Sequence, residues 1–132
     1  MNRIFVILLL AIALFAFASL IVSAPYLLWL LPGGLPFGNA LTATGLCSAA
    51  LFAYLLSNPN TALRWIAIIA VVLSFLWLPI SIGLAGNLAL NFNGTSGLAW
   101  GWYTLATLVF VLTSMLWAMV RGLFHRLFGQ RQ

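Results

Sequence analysis

The sequence lacks Asp, Glu and Lys altogether, and its only formally charged side chains are five arginines. A soluble domain carries about a quarter of its residues charged, so a charged fraction of 4% argues against a water-covered surface. Without carboxylates the chain cannot build paired-carboxylate acid–base catalysis, calcium or magnesium sites, or proton relays of Asp and Glu. An ordinary proton-coupled antiporter is therefore not expected.

Cysteine and histidine are equally scarce, with Cys47 and His125 as the only representatives. One cysteine rules out a disulfide framework within the chain, and one Cys with one His cannot complete a zinc or haem site. No nucleophile elbow, Walker motif or dinucleotide fingerprint is present. We therefore expect no catalytic residues, no metal site and no enzyme activity, while the question of a cofactor stays open.

Apolar residues are abundant instead: 65% of the chain is hydrophobic and the mean hydropathy is +1.20. A helix needs about 20 apolar residues to cross the hydrocarbon core of a bilayer. The sequence predicts an all-α integral membrane protein, a single membrane domain over residues 1–132. Its four transmembrane helices are expected at about 4–24, 39–56, 62–84 and 98–120.

Proline, glycine and asparagine mark the predicted connections. Residues 25–36 hold three prolines, so they predict a connection at the outer interface, where Tyr26 and Trp29 reach the headgroups. Residues 57–60 predict a tight turn, followed by Thr61 as an N-cap. A second outer loop is expected over residues 86–97.

The first apolar run has an alternative interpretation as a cleaved signal peptide. Arg3 supplies a positive N-terminal region, and Val22-Ser23-Ala24 offers small residues for cleavage. Against this, Pro25 would follow the cut, and the run of about 20 residues exceeds the 7 to 15 of a signal core. A retained helix is the favoured interpretation.

The arginines fall on one side of the four predicted spans. None lies in the two outer loops; they are Arg3, Arg64, Arg121, Arg126 and Arg131. The positive-inside rule then predicts that both termini are cytoplasmic, and the expected location is a bacterial inner (plasma) membrane. The same scatter forms no basic face before the tail, so we expect no nucleic-acid partner.

Two helix faces are candidates for packing. Gly45, Ala49 and Ala53 repeat at intervals of four, a small-residue stripe that lets backbones approach within the monomer or between chains. On the fourth span, Thr104, Thr107 and Ser114 share one face. Their hydroxyls are expected to bond to backbone or a neighbouring helix, with the lining of a permeation path as the alternative.

The tail 121–132 is expected to form a short amphipathic helix on the membrane surface. Its apolar stripe comprises Val120, Leu123, Phe124, Leu127 and Phe128. Arg121 and Arg126 lie off that stripe, as expected for a helix on an anionic leaflet. His125 lies beside them and is expected to be hydrated.

Six tryptophans and three tyrosines complete the pattern. Those near span ends predict aromatic belts at the two interfaces; they are Trp29, Trp65, Trp100, Trp102 and Tyr103. Trp77 lies farther along the third span, close to Pro79. There we expect Trp77 to contact lipid and Pro79 to kink the helix.

With packing faces and anchors but no reactive group, the sequence favours a noncatalytic accessory or structural subunit of a larger membrane complex. Two alternatives stay open: a small channel or facilitator formed by a parallel oligomer, and a membrane-resident regulator or immunity-type protein. The expected partners are membrane lipids and either other membrane subunits or further copies of the chain.

The arginine pattern makes a topology prediction. Reporters fused at Met1, Ser57 and Gln132 should read cytoplasmic, and reporters at Gly34 and Asn93 should read external, because arginine resists translocation. An external signal at Gln132 would contradict the four-span topology.

Overall fold

The computed structural model describes residues 2–129 and is all-helical over that range, apart from one isolated bridge between Leu30 and Pro36. Its four α-helices are α1 (Arg3–Ile21), α2 (Phe37–Leu56), α3 (Ala62–Ala85) and α4 (Ser96–Phe128). All four are long and apolar enough to cross a membrane. The prediction of an all-α, four-helix chain is confirmed.

Helix ends follow their capping residues. The side chain of Asn2 accepts a hydrogen bond from the Ile4 amide at 3.0 Å and begins α1. Thr61 is confirmed as the N-cap of α3, because its hydroxyl accepts from the Arg64 amide at 3.3 Å. Gly86 ends α3 in the left-handed conformation, with φ of 76°. Pro79 lies inside α3, and its kink stays a prediction.

The first helix stops three residues before its expected end at residue 24. Ser23 takes a positive φ of 51°, and Pro25, which cannot donate a helical hydrogen bond, begins a single 3₁₀ turn, Pro25–Leu28. The chain then turns back through Gly33 and Gly34, both at positive φ, to reach α2.

The second helix is the centre of the bundle, in contact with α1, α3 and α4. Of the 18-residue apolar segment in each helix, 44% is buried in α2, against 28% in each of the other three helices. The first helix packs mainly on α2, and α3 pairs with α4. Substitutions along α2 therefore act on several helix contacts at once.

The fourth helix differs from expectation. It runs unbroken for 33 residues through positions 120 and 121, so the tail begins as a continuation of α4 and not as a separate short helix. The reason is local: the only glycine near this junction is Gly122, no proline is present, and the neighbouring side chains tolerate helix well. At 1.5 Å per residue α4 is about 50 Å long, beyond the roughly 30 Å of a hydrocarbon core.

Candidate functional site

The small-residue stripe brings α1 and α2 into close contact. A Cβ placed on Gly45 would lie 2.5 Å from the Cβ of Ala16, so only glycine permits this separation. Ala49 and Ala53 are 0% exposed on the same helix. Leu46 is also buried, at 1% exposed, because α2 is enclosed on several sides. Gly45 therefore packs within the chain, not toward lipid.

The third and fourth helices meet along faces whose buried positions alternate by three and four residues. On α3 these are Leu63, Ala67, Ala70, Ser74, Trp77 and Ser81. On α4 the corresponding positions include Thr107, Val111, Ser114 and Ala118. This 3.5-residue repeat is typical of two helices that pack along their length with knobs-into-holes contacts.

The three predicted polar residues of α4 lie on this inner face. Thr107 and Ser114 are both 0% exposed. The Thr107 hydroxyl donates to the Tyr103 carbonyl at 2.9 Å, and the Ser114 hydroxyl to the Val111 carbonyl at 3.0 Å. Their hydroxyls are thus occupied by their own helix.

Three hydrogen bonds from aromatic side chains connect α3 with α4. Trp77 Nε1 donates to Thr104 Oγ1 at 3.0 Å. In the other direction, Trp100 Nε1 donates to Ser81 Oγ at 2.9 Å and the Tyr103 hydroxyl donates to the Leu73 carbonyl at 2.9 Å. Each bond satisfies a polar group that an apolar surrounding would otherwise leave unpaired.

These bonds change the interpretation of the aromatic residues. Trp77 is 2% exposed, so the expectation that it contacts lipid is wrong. Trp100 and Tyr103 are half-buried and bonded to α3, whereas Trp102 is 67% exposed and fits an interfacial position. The missed signal was the spacing of Trp77 and Ser81 with Ala70 and Ser74, which places all four on one face.

A cleft of about 380 Å³ opens beside these bonds, near the loop that joins α3 to α4; we call it the loop cleft. Trp77, Trp100 and Thr104 line it, together with Asn39 of α2. The Asn39 side chain donates to the Leu88 carbonyl at 3.1 Å and so ties the loop to α2. All four of these lining side chains are therefore already hydrogen-bonded within the chain.

The opposite end of the bundle holds the arginine of the α2–α3 turn. Arg64 donates from Nη2 to the Ser57 carbonyl at 3.2 Å, and its guanidinium carbon lies 4.1 Å from the centre of the Tyr54 ring. This cation–π contact fastens the start of α3 to the end of α2. From the sequence, Arg64 indicates only which side of the membrane the α2–α3 turn is expected to face; its contact with Tyr54 is visible only in the fold.

The tail residues present two different faces. The predicted apolar stripe is open: Leu123, Phe124, Leu127 and Phe128 are 52–63% exposed. Arg121 is half-buried and, with His125, lines a cleft of about 470 Å³ against the α2–α3 turn; we call it the tail cleft. Arg126 is exposed and Arg131 lies outside the described residues. The surface role of the tail stays a prediction.

The chain matches no family model, no curated protein and no solved structure. The class that the fold defines is an all-helical, four-helix protein whose helices are all able to cross a membrane.

The contact of Gly45 with Ala16 predicts that an alanine at position 45 destabilises the bundle, although alanine normally favours a helix over glycine. Gly45→Ala should lower the stability of the bundle, because an overpacked core costs about 1–3 kcal/mol while the gain in helix propensity is at most about 1 kcal/mol. The measurement is the unfolding midpoint in mixed detergent micelles.

The control is Gly101→Ala on α4, where an added Cβ meets nothing within 4 Å and stability should hold or rise. The exchange variant Ala16→Gly/Gly45→Ala restores the space and should recover part of the loss. Equal effects of Gly45→Ala and Gly101→Ala would show that the two helices do not need this approach.

Proposed function

We propose that the chain is an integral membrane protein with both termini cytoplasmic, and that it acts as a noncatalytic accessory or structural subunit of a larger membrane complex. Four apolar helices and the one-sided arginines support this placement. A bacterial inner membrane is the location that we propose for it.

The observation that carries the subunit proposal is the use made of the polar side chains inside the bundle. Thr104, Thr107 and Ser114 are bonded to another helix or to their own backbone. The exceptions are the Ser74 hydroxyl and the Nε of Arg64, which are buried and without a hydrogen-bond partner among residues 2–129. Polar side chains that are hydrogen-bonded inside the bundle favour a packing role over a catalytic or transport role.

The channel alternative is less well supported. Thr107 and Ser114 are fully buried within one chain, so a path lined by them would require the bundle to repack. The regulator alternative uses the same kind of helix contact as a subunit, and it differs in whether the partner is permanent.

The first helix is the surface that we assign to partner contact. It packs mainly on α2, and its outer side carries large apolar residues such as Ile4, Ile7 and Phe15, which are 54–69% exposed. A helix at the edge of a bundle can add a neighbour without disturbing the existing contacts.

The test is photo-crosslinking in cells combined with gentle extraction. A photoreactive residue at Ile7 should crosslink to a foreign membrane polypeptide that co-purifies in fixed stoichiometry, because Ile7 is 64% exposed on the edge helix. Leu105, 51% exposed on α4, is the matched control and should crosslink mainly to lipid.

A symmetric oligomer of this chain alone, with crosslinks only between its copies, would overturn the subunit proposal and favour a channel. A partner captured only under particular growth conditions, and never in fixed ratio, would favour the regulator.

A further inference from the structure

The tail cleft combines cationic and apolar walls. Asn58, Arg121 and His125 provide its polar lining, and Leu56, Ala118 and Phe124 provide its apolar lining. It lies where the last turns of α4 pass the end of α2 and the α2–α3 turn. Its volume of about 470 Å³ accommodates a small polar group with adjoining methylenes.

The orientation of Arg121 and His125 follows from the packing of α4. The inner face that buries Val111, Ser114 and Ala118 continues at intervals of three and four through Arg121 and His125. Arg121, half-buried, therefore lies against the α2–α3 turn, and the exposed His125 lies at the rim of the cleft. Phe124 of the apolar stripe also borders the cleft, while Leu123, Leu127 and Phe128 are exposed outside its lining.

Among residues 2–129 no anionic group faces the cleft. The sequence contains no side-chain carboxylate, so none can neutralise Arg121. Arg64, on the same turn, is already held by the Ser57 carbonyl and the Tyr54 ring. Within residues 2–129 neither Arg121 nor His125 is hydrogen-bonded through its side chain to another residue. A half-buried guanidinium favours an anionic partner from outside the chain.

The depth of the cleft indicates the source of that anion. If the hydrocarbon span of α4 ends near residue 120, Arg121 and His125 lie about 1.5 to 7.5 Å beyond it at 1.5 Å per residue. The headgroup layer on each side is roughly 5 to 8 Å thick. Both side chains therefore reach the level of lipid phosphates.

From these observations we propose that the tail cleft binds the headgroup phosphate of one anionic phospholipid. Arg121 and the ring N–H of His125 donate to the phosphate, together with the Asn58 amide. Leu56 and Ala118 contact the first methylenes of the lipid. The proposal rests on membrane placement but not on the subunit role, since it holds for any partner.

The test compares the full-length chain with three variants in nanodiscs, by counting retained lipids with native mass spectrometry. Phosphatidylglycerol should be retained over phosphatidylcholine of the same acyl chains. Arg121→Gln should weaken its apparent affinity roughly tenfold, because it removes the charge-assisted hydrogen bonds of the guanidinium to the phosphate. Gly122→Leu should also reduce retention, because it fills the cleft at a position where an added Cβ meets no neighbour within 4 Å.

The matched control is Arg126→Gln, which removes the same charge from the same helix at an exposed position outside the cleft lining. It should retain phosphatidylglycerol almost as the unmodified chain does. Excess inorganic phosphate should not displace the lipid, because phosphate alone makes no contact with the apolar wall.

Equal losses in Arg121→Gln and Arg126→Gln, with no effect of Gly122→Leu, would reduce the site to general surface electrostatics and overturn the proposal. Complete displacement by inorganic phosphate would overturn it in favour of a free-anion site. If Gly122→Leu fails to fold, the comparison of the two arginine variants decides alone.

Discussion

A bundle whose surface exposes many large apolar side chains gains little from the hydrophobic effect when its helices associate in lipid. Its outward-facing side chains include Ile7, Phe15 and Leu105, each more than half exposed. Helices in such a solvent are held by close van der Waals packing and by hydrogen bonds between them. The whole architecture follows from how this chain meets that constraint.

Two different solutions are combined around α2. The pair of α1 and α2 relies on shape, since Gly45 and Ala16 allow their backbones to approach. The pair of α3 and α4 relies on hydrogen bonds from aromatic side chains, and the one to Thr104 comes from Trp77, which is buried. Polar groups are thereby used for cohesion, which is why the interior favours a structural role.

The sequence predicts the helices well because apolar length and turn residues are local signals. Thr61 as an N-cap and the turn before it needed only neighbouring residues. The role of Trp77 could not be predicted in the same way, since a tryptophan looks alike whether it faces lipid or a hydroxyl on the next helix. The sequence does not predict that α4 continues past residue 120, because the change from apolar residues to Arg121 suggests the end of a span. The residues around Arg121 nevertheless have adequate helix propensity, so the helix is not interrupted there.

The inward direction of Arg121 also depends on tertiary structure. Its helical phase is readable from the sequence, but the position of the α2–α3 turn opposite it is not. The composition shows that no side-chain carboxylate is available to neutralise Arg121. The cleft in which we propose that a lipid phosphate takes that place is visible only in the fold.

The central claim, that hydrogen bonds from aromatic side chains hold α3 against α4, is tested most directly by a double-mutant cycle of Trp77→Phe and Thr104→Val, with exposed Trp102→Phe as the reference. Reversible unfolding in mixed micelles should give a coupling of about 0.6 kcal/mol, up to roughly 1.7 kcal/mol, for the first pair. Effects that add to within about 0.3 kcal/mol would contradict the claim.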